Sequence, residues 1–338
     1  RNGLKFWLNF LCLVFVAHSH IVHDPTCWFL GRIDTLVIPL FSMMAGVSWG
    51  GFLKKSRGNG VWYGIKMLLY PYLFWVAVYF SLNYVVLDCF LRHNEWTVSL
   101  SDMAFYLLTG YCGIQLWFLV TLVYAMLIFV AMFRLLGNTL FFRAAVLILL
   151  AVSLVLPHTQ FVVSAAERLR YVEYYRVWFS WLFPGFCVGV LISLPKAKAY
   201  DAPWVRGLLP AMLALGFGWL FFGKYIGVAL PASAALVLAA CSLPKVYAPK
   251  WLSATSPYVM GIYLVHALFT SAANVVLRLT PEHPMRLGSF LGLLSGSLLV
   301  GLLSLALLQT LGDGGAASVQ DHLHAVLGVV VGGNHEVD

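Results

Sequence analysis

Charge is what this chain most conspicuously lacks. Lys and Arg together number 21 and Asp and Glu 13 in 338 residues, so 10% of the chain is charged, against about a quarter in ordinary soluble domains. A water-soluble globular fold is excluded on that ground. Paired cysteine spacing is also missing: Cys12, Cys27, Cys89, Cys112, Cys187 and Cys241 form no Cys-x-x-Cys, which removes the usual structural zinc frameworks, and no metal is expected. No Gly-x-Ser-x-Gly elbow is present, so a Ser hydrolase is unsupported. Phosphate-cradling loops of the Gly-x-x-x-x-Gly-Lys-Ser or Gly-x-Gly-x-x-Gly type are absent too. The net charge of +8 is spread over short loops rather than gathered in one patch, and no nucleic-acid partner is expected.

What the chain has in abundance is apolar sequence. Hydrophobic residues make up 61% and mean hydropathy is +0.87, the composition of an integral membrane protein whose partner is the lipid bilayer. Runs long enough to cross about 30 Å of hydrocarbon predict an all-α, polytopic fold of about ten transmembrane helices. The expected spans are 6–22, 34–53, 61–87, 114–136 with a short approach at 103–110, 142–157, 177–194, 205–222, 225–243, 256–277 and 287–311. The first run follows Arg1 and Lys5 as a signal peptide would, but no small-residue cleavage site follows it, so it is expected to span. Residues 1–311 then form one membrane-embedded domain and 312–338 a Gly-rich cytoplasmic tail with no assigned role.

Loop charges set the expected orientation. With both termini cytoplasmic, Lys54, Lys55, Arg57, Arg134, Arg143, Lys196, Lys198, Arg206, Lys245 and Lys250 face the cytoplasm, as the positive-inside bias requires. Asp24, Asp34, Asp88, Glu95, Asp102, Glu167, Glu173 and Glu282 then face outward.

Ionisable groups at membrane depth are costly and mark either function or a satisfied interhelical contact. His18, His20 and His23 close the first apolar run, and His266 sits in the run Ser256 to His266. Histidine suits a general base, because its ordinary pKa near 6.5 leaves a neutral ring at physiological pH. Arg32 and Asp34 lie at the mouth of the second span. They read either as an interfacial ion pair or as donors for a developing charge.

Four landmarks occur in an order that resembles the acyltransferase family 3 integral membrane proteins. They are Val14 to His20; Arg32 with Ile38-Pro39-Leu40-Phe41-Ser42-Met43-Met44-Ala45-Gly46; Lys66 before Tyr70-Pro71-Tyr72, with Leu116-Trp117-Phe118-Leu119 after the next loop; and Ser256 to His266. The resemblance implies transfer of an acyl group, usually acetyl from acetyl-CoA, to a hydroxyl of a cell-envelope or exported sugar. It implies a multi-pass protein of the inner (cytoplasmic) membrane, a sugar or polysaccharide acceptor that is free or lipid-linked, and polysaccharide-assembly proteins as partners.

His18 or His20 is then the expected base and Arg32 the group that polarises the thioester. Asp24, Asp34, His266, Trp117, Tyr171 and Arg176 are expected around the acceptor, the last two in an outer loop over Glu167–Arg176. Lys54, Lys55, Arg57 and Lys66 are expected as a basic rim for the CoA phosphates, although positive-inside topology alone places bases there.

One departure stands out. Family members carry Arg or Lys eleven positions before the first-span His, about three turns and so one helix face. Here that position is Trp7 counted from His18, or Asn9 counted from His20. Either Asn9 takes the polar role or Lys5 does. A polytopic exporter of a sugar or small organic acid would also have about ten spans and buried histidines; acetyl-CoA binding separates the two readings.

Overall fold

The fold is that of a computed structural model, which describes residues 3–19, 28–56, 61–81, 99–112, 116–195, 199–200, 202–222, 229–243, 246–250, 252 and 263. Every regular element among them is helical: α1 (Leu4–Ser19), α2 (Trp28–Ser56), α3 (Val61–Phe80), α4 (Leu100–Thr109), α5 (Leu116–Leu136), α6 (Leu140–Val155), α7 (Gln160–Arg168), α8 (Arg170–Ser193), α9 (Pro203–Phe222) and α10 (Leu230–Ser242), with a 3-10 turn at Leu156–His158. Pro39, Pro71, Pro184 and Pro210 lie inside helices, which membrane helices tolerate because neighbouring groups take up the freed carbonyls.

Among the described residues, four segments are long and apolar enough to cross a membrane: Thr35–Lys54, Leu116–Leu136, Leu140–His158 and Pro203–Phe222. Gly64–Phe80, Phe179–Ser193 and Leu230–Ser242 are apolar but shorter. They fall on the expected spans 61–87, 177–194 and 225–243. The first expected span is α1, of 16 residues. The expected spans 256–277 and 287–311 lie outside the described residues, apart from Tyr263.

The chain forms two compact units, one of 1–51 with 188–338 and the other of 52–187. In the first, α2 and α8 approach backbone to backbone. A Cβ on Gly189 would run into the carbonyl of Met43, and one on Gly50 would strike the Ser193 hydroxyl. Small residues are what permit such an approach between membrane helices. Met43 and Ser42 are fully buried there. The α9–α10 pair packs on the beginning of α2 through Leu36, Leu220, Ala229 and Ala232, and Ser233 Oγ donates to the Ala229 carbonyl at 2.8 Å. At the other end of α10, Gly3 N–H donates to Val246 O at 2.9 Å, Trp7 Nε1 to Tyr247 O at 3.2 Å and Arg206 Nε to Ser242 O at 2.9 Å.

In the second unit, α5 fills the centre, with Leu116, Leu119, Ala125 and Phe129 wholly buried. Helix α4 is short but sharply bounded. Ser99 and Asp102 form a capping box, Asp102 N–H donating to Ser99 Oγ at 3.2 Å and Ser99 N–H to Asp102 Oδ2 at 3.3 Å, so two otherwise orphaned amides are satisfied. Gly110 ends the helix at φ 69°, a conformation that favours glycine. A side chain there would also lie 2.7 Å from the Leu116–Trp117 backbone. The orphan carbonyls of the last turn of α4 are taken by tyrosines from three helices: Tyr72 OH donates to Leu107 O, Tyr124 OH to Leu108 O at 2.7 Å and Tyr175 OH to Leu108 O at 3.4 Å.

Candidate active site

His18 stands in the last turn of α1. Helix α1 starts beside Val246 and Tyr247 and touches α10, while α2 packs on the α9–α10 pair through Leu36. Arg32 lies one turn before Leu36 in α2 and is half-buried, and its carbonyl accepts from Thr35 Oγ1 at 2.6 Å. Asp34 shares the Arg32 turn of α2. His20, Asp24 and His266 lie outside the described residues.

The two candidate replacements for the missing base sit differently on α1. Lys5 is near its start, with Nζ 5.5 Å from the centre of the Phe6 ring. The rise from Lys5 to His18 along the continuous helix is roughly 20 Å at 1.5 Å per residue, beyond any contact. Asn9 is half-buried farther along the same helix.

Two of the landmark motifs meet. Tyr263, 8% exposed, stands edge-on to Phe41, with ring centroids 6.2 Å apart and planes at 66°. Ser42 Oγ donates to Pro39 O at 3.0 Å. The motif residues Phe41, Ser42 and Met43 thus form a packing surface in α2, facing the Tyr263 ring and α8. Phe41 and Tyr263 both lie within landmark motifs, and neither carries an expected role. An aromatic three residues before a candidate histidine was the available signal.

In the second unit, Trp117 opens α5 and packs against Trp181, with centroids 6.0 Å apart. The expected outer loop over Glu167–Arg176 is corrected by the structure. Glu167 and Arg168 end α7, Leu169 is extended at φ −124° and ψ 107°, and Arg170 begins α8. No Gly or Pro interrupts this stretch, so its polar composition misread two helix ends as a loop. Tyr171 is therefore helical, 38% exposed, and its ring lies 4.7 Å from that of Phe105. Arg176 is one turn and a half further along α8.

Of the expected basic rim, Lys54 is half-buried near the end of α2 and feels the positive charge of Arg143 in α6. Arg134 and Arg143 flank the α5–α6 turn and are both exposed. Such a concentration of like charge suits a polyanion. Lys66 is half-buried, with Nζ 5.6 Å from the centre of the Trp62 ring one turn earlier, a cation–π contact typical of an interfacial anchor. Lys55 belongs to the end of α2, and Arg57 lies outside the described residues.

Cys112 is buried. Its thiol lies 3.8 Å from Val76 O, and burial pushes it up to about 12, whereas thiolate chemistry needs a lowered value. Among the described residues, no group of three His, Cys, Asp or Glu is placed to hold a metal ion.

The acyltransferase family 3 model, described as an acyltransferase domain, matches residues 8–308, nearly the whole chain. No curated protein and no solved structure matches. A match of that extent, in a chain with apolar membrane-length helices, makes it a membrane acyltransferase belonging to acyltransferase family 3.

Proposed function

We propose that the protein is a membrane-bound O-acetyltransferase of the inner membrane, moving an acetyl group from acetyl-CoA to a sugar hydroxyl of an exopolysaccharide or its lipid-linked precursor. The observation that carries this reading is the family match over residues 8–308. Both termini face the cytoplasm in this proposal, as the loop charges favour. The contacts of Gly3, Trp7 and Arg206 with residues 242–247 agree with it, because they gather one end of the first unit from segments that carry Lys5, Arg206 and Lys250.

The chemistry follows from the residues. The imidazole of His18 or His20 removes the proton of the sugar hydroxyl, whose oxygen attacks the thioester carbon. Arg32 donates hydrogen bonds to the tetrahedral oxyanion, the step at which preorganised donors have most effect. Collapse breaks the carbon–sulfur bond, and the imidazolium returns its proton to the departing thiolate, giving the acetyl ester and free CoA. Lys54, Lys55, Arg57 and Arg143 hold the CoA phosphates at the cytoplasmic face, and Asp24 or Asp34 orients the polar groups opposite.

Ligand-dependent melting tests the reading. A ligand at a hundred times its Kd stabilises the native state by about 2.7 kcal/mol, so acetyl-CoA should raise the melting temperature of the purified protein, and an added sugar acceptor should then release CoA. Indifference to acetyl-CoA is the exporter's behaviour and refutes the proposal.

A further inference from the structure

Three cations reach the last turn of α10 from three separate segments. Arg206, in the first turn of α9, donates from Nε to the Ser242 carbonyl at 2.9 Å. The charge of Lys5, near the start of α1, is felt at Cys241, one residue before Ser242. Lys250 follows on the segment that α1 grips, where Gly3 N–H donates to Val246 O at 2.9 Å and Trp7 Nε1 to Tyr247 O at 3.2 Å. Gly3 permits that approach, because a Cβ there would run into Val246 O and Ala248. Arg206 and Lys250 are exposed and Lys5 is half-buried, so a ligand can reach all three.

The same turn holds a buried hydroxyl with no partner. Ser242 is 1% exposed and its Oγ makes no hydrogen bond. A helical serine commonly bonds back to a carbonyl one turn earlier, as Ser233 Oγ does to Ala229 O at 2.8 Å. A buried polar group without a partner is destabilising, and native structures rarely keep one. Gathering like charges is unfavourable too. Helices α1, α9 and α10 contain no Asp or Glu; Asp201, before α9, lies outside the described residues. Positive-inside topology sets cations along a face, but it does not draw three segments onto one turn, and it has no use for an unpartnered hydroxyl. One kind of ligand relieves both costs, an anion with several acceptor oxygens.

We infer that Lys5, Arg206, Lys250 and the Ser242 hydroxyl form a binding site for a phosphate ester at the end of α10. The bond from Arg206 Nε to the helix end orders a planar guanidinium fork, which matches phosphate oxygens. The two lysines add point charges beside it. Two sources offer this chemistry, the phosphates of CoA and the headgroup of an anionic phospholipid. The site belongs to the first compact unit and shares no residue with the group at Lys54, Lys55, Arg57 and Arg143, so it does not rest on the acetyltransferase reading.

Titration calorimetry on the purified protein in neutral detergent tests it, with sodium pyrophosphate, acetyl-CoA, and mixed micelles of phosphatidylglycerol or, as the zwitterionic control, phosphatidylcholine. Ser242→Ala and Lys5→Gln should each weaken pyrophosphate binding about tenfold, the weight of one hydrogen bond to a charged group. The natural source should weaken equally: a loss with acetyl-CoA assigns the site to the acyl donor, and a loss with phosphatidylglycerol assigns it to lipid. Ser242→Ala should at the same time raise the melting temperature of the ligand-free protein, because it removes an unsatisfied buried group. A merely structural serine would not part stability from binding in this way. Lys66→Gln, which removes a cation resting on Trp62, should bind every probe as the parent does. Affinities unchanged in Ser242→Ala and Lys5→Gln overturn the inference. Equal weakening by Lys66→Gln shows diffuse positive charge only and also overturns it. Weakened pyrophosphate binding with both natural sources unaffected shows an adventitious ion only, and overturns it as well.

Discussion

The ring of Tyr263 meets that of Phe41 edge-on at 6.2 Å, joining a motif of the second span to one near the end of the apolar sequence. Edge-to-face aromatic pairs contribute about 0.5–1.5 kcal/mol beyond the area they bury. A double-mutant cycle with Phe41→Leu and Tyr263→Leu should therefore show a coupling of about that size in unfolding free energy. Strict additivity of the two substitutions would mean that the contact contributes nothing.

Gly189 is predicted to be intolerant of any side chain, because the Met43 backbone occupies the space. Gly189→Val should destabilise the protein by about 1–3 kcal/mol, the usual cost of overpacking, seen as a lowered melting temperature. Gly218 in α9 meets nothing within 4 Å, so Gly218→Ala should leave melting unchanged or raise it through helix propensity. Equal tolerance at the two positions would contradict the close approach of α2 and α8.

Removing the Tyr124 hydroxyl leaves the Leu108 carbonyl with only the longer bond from Tyr175. Tyr124→Phe should cost about 0.5–1.5 kcal/mol, the net value of one intramolecular hydrogen bond, and should speed hydrogen exchange of the α4 amides before other helices respond. Unchanged α4 exchange would show that the tyrosines do not hold the helix.

The basic residues divide into two predicted classes. Replacing Lys54, Lys55 and Arg57 together by Gln should weaken acetyl-CoA binding about tenfold or more and reduce its dependence on salt, since charge-assisted contacts to phosphate are lost. Lys66→Gln should bind acetyl-CoA as the parent does, because Lys66 rests on Trp62. Titration calorimetry separates the cases, and an unaffected triple variant would return those residues to topology alone.

Much of the helical framework was legible because membrane spans depend on local composition. The apolar runs of α5, α6 and α9 needed no partner to be recognised. The start of α8 was not legible, since Glu167–Arg176 mixes charge and tyrosine as loops do, and its helical state lies in the absence of any breaker. Long-range meetings such as Phe41 with Tyr263 depend on tertiary packing, which no local pattern carries. The motifs pointed to His18 and Arg32 separately, in α1 and α2. His20, Asp24, Arg57 and His266 fall outside the described residues.

The central claim is that a first-span imidazole takes the acceptor proton during acetyl transfer. Acetyl transfer from acetyl-CoA by the purified protein, compared among the parent, His18→Ala, His20→Ala and the double variant, tests it most directly. One single variant and the double variant should lose at least about a hundredfold in rate, the usual worth of a positioned base, while keeping their melting temperature and its rise with acetyl-CoA. Parental rates in both single variants and in the double variant would contradict it.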